Sequence, residues 1–295
     1  EDGTPIVYTV ARTLFKTVHT PSHTQAVRKA ILDLTLLLVT EWAHVLESMS
    51  ELLGDGVISM IEEERDPRNL LLSFHISEVL LKERPERCLS EEGLSVLFEA
   101  LTSYFPITFT PPKDDKYGIT GEDLKAALNT ALASSKRMAP LVVPFLLDSS
   151  KDVTVGDNEQ VIKDALECLG ECFEAYGPEV AQKYLVEVLK ACRDQVCRTT
   201  TPCPDDFAKF LERTLRVALT DMPSVAIEPA WFSKSVNPFL KGLAIEVAKK
   251  EASFSISGAK TLLVGAARAS PLLLKKVWST LAPELLPAED GVCPR

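Results

Sequence analysis

Apolar residues recur at helical spacing along almost the whole chain, and the residues that break helices fall between those periodic blocks. "PIVYTVARTLFKTV" (5–18) opens with a proline after Thr4, a cap residue followed by a first-turn proline. "QAVRKAILDLTLLLVTEWAHVLESMSELL" (25–53) is long enough for one or two helices, and "GDG" (54–56) is expected to stop it. "DPRNLLLSFHISEVLLKE" (66–83) offers Asp66 as a cap and Pro67 at the first helical position. In "TGEDLKAALNTALASS" (120–135), Thr120 and Asp123 form a capping-box-like start. "NEQVIKDALECLGECFEAYG" (158–177) and "PEVAQKYLVEVLKACRDQVC" (178–197) are parted only by a Gly-Pro step, which predicts a tight helical hairpin. Four further blocks, beginning at 204, 228, 257 and 271, continue the series.

Paired helices with short connections and a unit of about 40 residues predict an all-α fold, a HEAT/armadillo-like α-solenoid of antiparallel helix pairs. Many of these helices are apolar over more than half their circumference, as packing on a partner and on neighbouring repeats requires. One continuous array over 1–295 is expected, with a soft boundary near 150–157.

Charge and composition limit the partners. Lys plus Arg number 32 and Asp plus Glu 42, a net charge of −10. Such a chain repels a phosphate backbone, and only isolated basic doublets such as Lys275–Lys276 occur, so direct nucleic-acid binding is not expected. The most apolar window, 30–46, contains Asp33 and Glu41 and reads as a buried helix rather than a membrane span. Seven irregularly spaced cysteines and no signal-peptide pattern point to free thiols in a reducing compartment. The start without Met and the "GVCPR" ending read as a piece of a longer protein.

Motifs of catalysis are missing: there is no P-loop, GxSxG, GxGxxG or HExxH. His19 and His23 are four apart, but Pro21 breaks the helix that would align them. Cys168 and Cys172 share a helix face with apolar neighbours and read as small core residues, because metal and cluster sites favour short loop-borne pairs. Cys203, in "TTTPCPDD", is expected to be the exposed, reactive thiol, and Trp42, Trp231 and Trp278 to pack between helices. Neither an enzyme, a metal nor a cofactor is expected.

One stretch departs from the helical pattern: "YFPITFTPPKDDKYGITGEDL" (104–124). A non-helical connection of about fifteen residues is long for a compact array. Pro106, Pro111 and Pro112 stiffen it, and an extended, pre-ordered segment loses less entropy on docking. Alternation predicts Ile107 and Phe109 pressed onto helices while Thr108 and Thr110 face water. Tyr104, Phe105 and Phe109 are expected to be buried and the turn from Asp114 to Gly118 exposed. A strap across a helical ridge is the structural reading. The functional reading adds partner docking through Tyr104, Phe109, Pro111, Pro112, Asp114, Asp115 and Tyr117.

The same residues carry a resemblance. "DPRNLLLSF" (66–74), followed by the 104–124 stretch, resembles the large HEAT-repeat adaptor subunit (Mms-nineteen/Met-eighteen family) of the cytosolic iron–sulfur protein assembly targeting complex. Weaker similarity runs from "VYTVARTLF" (7–15) through 175–197 to 239–247 and 259–267, as in the amino-terminal region of a longer family member. The resemblance implies a non-enzymatic adaptor, cytoplasmic and nuclear, that helps deliver clusters to apoproteins of DNA replication, repair and transcription. Its implied partners are DNA helicases and polymerases, together with other subunits of the targeting complex, which the family binds mainly through carboxy-terminal repeats absent here. A generic transport or regulatory HEAT scaffold is the alternative, and a metal or cluster protein using the cysteines of 168–203 a further one.

Overall fold

The computed structural model describes residues 4–46, 49–62, 64–83, 89–113, 117–151, 158–198, 203–220, 230–249 and 254–285. The chain is all-α, of the helical-repeat solenoid class, and among the described residues no strand occurs. The helices are α1 (Thr4–Thr17), α2 (Gln25–Glu41), α3 (Ala43–Leu46), α4 (Ser50–Ile61), α5 (Pro67–Glu83), α6 (Glu91–Thr102), α7 (Gly121–Ala133) and α8 (Ala139–Ser149). They continue with α9 (Asn158–Tyr176), α10 (Pro178–Lys183), α11 (Leu185–Arg193), α12 (Pro204–Ala218), α13 (Asn237–Val247), α14 (Phe254–Ala269) and α15 (Pro271–Leu285). Two compact units result, residues 1–142 and 143–295.

In the first unit, α1, α4 and α6 pack side by side in one layer and α2, α5 and α7 in the other. In the second, α9, α12 and α14 form one layer; α11, a π-helical turn at Phe232–Val236, α13 and α15 form the other. Each layer buries the apolar stripe of its helices against the opposite one. Phe74, Leu94 and Leu97 fill the core of the first unit, and Phe173, Phe207 and Phe232 that of the second.

Most helix starts follow their predicted chemistry. Asp66 Oδ1 accepts the backbone N–H groups of Arg68 and Asn69, at 3.1 and 3.3 Å, and caps α5. The Thr120–Asp123 capping box is complete. The α9–α10 hairpin turns on Gly177, whose φ of 87° is a conformation that side chains with a Cβ rarely adopt.

Three expectations fail. "GDG" does not stop a helix: Gly54 to Gly56 lie inside α4, and the chain breaks at Trp42 instead. A Cβ on Gly56 would meet the Phe15 ring at 2.6 Å, so this glycine brings α4 close to α1. Cys203 is 3% exposed, because the residue that caps α12 turns inward; all five described cysteines are buried. Trp278 is 69% exposed on α15, where Leu273 and Val277 supply the buried face.

Candidate functional site: an anchored strap beside a buried polar network

The 62–69 connection brings a carboxylate into the interior. Glu64, 3% exposed, forms a two-pronged ion pair with Arg28 of α2, with both N–O distances 2.8 Å. It also accepts the Arg65 and Asp66 backbone N–H groups, each at 2.9 Å, and the Asn69 amide at 3.0 Å. Burial alone would raise the Glu64 pKa. The Arg28 guanidinium and the amide donors outweigh it and hold the carboxyl at about 2.

Asp66 extends this network outward. It accepts from Gln25 Nε2 at 2.7 Å and pairs with the Arg68 guanidinium at 3.2 Å. Arg68 in turn lies over the Tyr117 ring, 3.9 Å from its centroid. The two distant motifs therefore meet: "DPRN" supplies the cap, the first-turn proline, the platform for Tyr117 and an amide for Glu64.

The strap, described over residues 103–113 and 117–120, has four points of attachment. The Tyr104 hydroxyl donates to the Ile61 carbonyl at 2.7 Å, and its ring meets Phe74 edge-on at 5.7 Å between centroids. Burial of that hydroxyl pushes the Tyr104 pKa up to about 12. Further along, the Phe109 carbonyl sits over the start of α7, where a Cβ on Gly121 would be 2.6 Å from it; only glycine permits that approach. Thr120 and Asp123 lock the helix start, and Arg68 holds the ring of Tyr117.

The predicted alternation is present: Ile107 and Phe109 are half-buried, and Thr108 and Thr110 are exposed. Tyr104, Phe105 and Phe109 are half-buried rather than buried, because the strap lies on the helices instead of between them. Pro111, Pro112 and Lys113 face solvent, and Tyr117 is 61% exposed with one ring face on Arg68. Of the expected partner-binding residues, Asp114 and Asp115 lie outside the described residues. Tyr104 and Phe109 serve as anchors, while Pro111, Pro112 and Tyr117 present themselves outward.

Sequence reasoning missed Arg28, Gln25 and Glu64. The acidic run "EEE" at 62–64 was the available signal, but nothing local marks which of the three turns inward. Among the described residues, no group of three or more His, Cys, Asp or Glu side chains is placed to hold a metal ion. No described helix is long and apolar enough to cross a membrane. The described part of the strap is thus a solvent-facing ridge, Pro111 to Lys113, beside an anchored segment on the helical frame.

Stacked helix pairs carrying an anchored strap define a helical-repeat protein. The family model described as "Dos2-interacting transcription regulator of RNA-Pol-II", MMS19_N, matches residues 3–198, and the chain belongs to this family. It is 30% identical over 197 residues to the "MMS19 nucleotide excision repair protein homolog" of Mus musculus, covering 66% of this chain and 18% of that protein. The protein of the same name from Dictyostelium discoideum is 30% identical over 182 residues, 62% of this chain and 16% of that one. That of Arabidopsis thaliana is 29% identical over 197 residues, 66% and 17%. The matched segment thus spans less than a fifth of each of these relatives.

Proposed function

We propose that this chain is a non-enzymatic protein-binding scaffold of cytosolic iron–sulfur protein assembly, active in cytoplasm and nucleus, and that its strap contacts client apoproteins. The observation that carries the scaffold reading is the strap itself. A long non-helical segment is fixed at Tyr104, Phe109 and Tyr117, yet Pro111 and Pro112 are exposed and Tyr117 is 61% exposed. A segment needed only to cover helices has no use for an exposed aromatic held in place by an arginine. Pre-ordering matters because a stiff ridge loses little entropy when a partner docks. Tyrosine supplies wide contact area with few rotatable bonds. The iron–sulfur assignment draws on the sequence resemblance and on family membership, and the clients it points to are DNA helicases and polymerases.

The test is capture of a purified iron–sulfur DNA helicase, in its apo form, by this chain. A Pro111→Ala/Tyr117→Ala variant should lose no more than about 4 °C in melting temperature, since Pro111 is exposed and the Arg68–Tyr117 contact is worth only about 0.5–1 kcal/mol. It should lose most of the captured helicase. Undiminished capture by the variant would remove the strap from the binding surface. No capture by either form would overturn the client assignment for this part of the protein.

A further inference from the structure

Helix α14 crosses α12 at unusually short range in the second unit. A Cβ on Gly265 would lie 2.5 Å from the Ala208 carbonyl, so the two backbones nearly touch. Beside this crossing the surface forms a groove of about 480 Å³, with Ala208, Thr261, Val264 and Gly265 along it. Lys209, Lys260 and Arg268 stand on its walls, with Asp205 and Glu212 at the α12 side. Glu212 is already paired with Arg216 and Lys209 with Asp206, while Asp205, at the α12 edge, makes no ion pair among the described residues. Lys260 and Arg268 make no ion pair among the described residues.

The groove therefore presents two cations, without an ion pair among the described residues, flanking an apolar residue. Lys260, Val264 and Arg268 are spaced four residues apart on one stripe of α14, and Val264 is 47% exposed. Along a helix, eight residues span about 12 Å. On a chain with a net charge of −10, two exposed cations around an apolar centre make this stripe of α14 a local concentration of positive charge.

We propose that this groove is a docking site for an acidic amphipathic segment of a partner protein, one with two carboxylates about 12 Å apart and a single apolar side chain between them. A partner helix with acidic residues eight apart and a leucine or valine midway has that spacing in either direction. Asp205 and Glu212 on the α12 side confine the favourable positions for negative charge to Lys260 and Arg268, which two discrete carboxylates can match and a continuous run of phosphates cannot. The inference rests on reading the chain as a protein-binding scaffold, but not on the strap.

The probe is a fluorescent alanine-rich helical peptide with two glutamates eight residues apart and a leucine midway, titrated by polarisation against the full chain. Saturable binding is expected, weakened about tenfold by Lys260→Glu or by Arg268→Glu and several-fold by Val264→Ser. The glutamine version of the peptide should not bind, and raising salt from about 0.05 to 0.3 M should weaken the glutamate version. Circular dichroism melts confirm that the variants fold, and Lys260→Gln offers a gentler change if Lys260→Glu does not. Binding indifferent to both charge reversals, or absent at about millimolar peptide, overturns the proposal. So does tighter binding of single-stranded DNA through the same residues. If deleting residues 287–295 strengthens peptide binding more than tenfold, the acidic "AED" of this chain's own terminus is the occupant and a partner is not. Failure in any of these ways leaves helicase capture through the strap intact, and loss of strap-dependent capture leaves peptide binding here intact.

Discussion

In the amino-terminal unit, besides the Gly56 contact of α4 with α1, three polar contacts made from loops join neighbouring helices. Arg28 of α2 reaches Glu64 before α5, Tyr104 after α6 reaches the end of α4, and Tyr117 before α7 rests on Arg68 of α5. In the carboxy-terminal unit, polar contacts such as Arg213–Glu174 run between helices instead of loops, and glycines within helices give the closest backbone approaches. Gly258 and Gly265 of α14 face the backbone carbonyls of Val196 and Ala208; Gly170 and Gly242 make room for the guanidinium groups of Arg213 and Arg193. The same two-layer stacking is thus fixed in two ways. Polar loop joints are directional and specify one arrangement, and they leave loop surface free for recognition. Glycine joints depend on close backbone packing and place specificity on helix faces. The family model ends at residue 198, so the strap and polar network lie wholly within the matched part, while the α12–α14 crossing lies beyond it.

Glu64 is where the contrast should be largest. Replacing it with Ala leaves the half-buried Arg28, the Asn69 amide and the Arg65 and Asp66 backbone N–H groups without this acceptor, and losing one member of a buried pair costs about 3–5 kcal/mol. Chemical denaturation should show that loss, and hydrogen exchange should speed up in α2 and α5 while α12 and α14 stay protected. Uniform acceleration in both units would mean that the joints are not local. The pair also sets an acid response. Glu64 has a lower pKa folded than unfolded, so its contribution is complete above the ordinary value of 4.5 and disappears as pH falls toward 2. About 3 kcal/mol should be lost across that window. A Glu64→Gln protein should show a correspondingly flatter stability profile between pH 5 and pH 2.5, roughly by that amount.

Glycine substitutions come next. A Cβ on Gly258 would sit 2.0 Å from the Val196 carbonyl, a backbone atom that cannot swing aside. Gly258→Ala should cost about 1–3 kcal/mol through forced separation of α14 from the Asp194–Arg198 turn. Gly170→Ala meets only the movable Arg213 side chain and should cost much less. Equal losses would show that backbone proximity is not what the second unit relies on. In the first unit, Tyr104→Phe should cost about 0.5–1.5 kcal/mol, because the Ile61 carbonyl loses the hydroxyl but keeps the Glu64 backbone N–H at 3.2 Å.

This ordering also explains what the sequence could disclose. Helix identity was legible because apolar spacing and caps such as Asp66, Thr120 and Gly177–Pro178 act locally. The strap was legible as an anomaly, and the inward turn of Ile107 and Phe109 followed from alternation. Gly56 and Cys203 misled because their roles are set by neighbours distant in sequence: Phe15 for the glycine, and for the thiol the packing around the start of α12. Glu64 could not be singled out for the same reason, since its partner Arg28 is 36 residues away. Long-range polar pairs have no periodicity to betray them.

The smallest expected effect is the one that joins stability to function. Arg68 over Tyr117 is a partly exposed cation–π contact, worth about 0.5–1 kcal/mol. Arg68→Ala also removes the ion pair to Asp66, so a single substitution cannot isolate it. A double-mutant cycle with Arg68→Ala and Tyr117→Leu can, and its coupling energy should fall in that range. Partner capture adds the decisive comparison. If Arg68 serves to hold the Tyr117 ring for a partner, Arg68→Ala should weaken helicase capture although Arg68 itself need not touch the helicase, and it should have no further effect once Tyr117 is Leu. If the two substitutions weaken capture additively, Arg68 contacts the partner independently. If neither weakens it, the contact between the two motifs is a clasp for the strap alone, and the first unit's polar joints serve the fold without serving recognition.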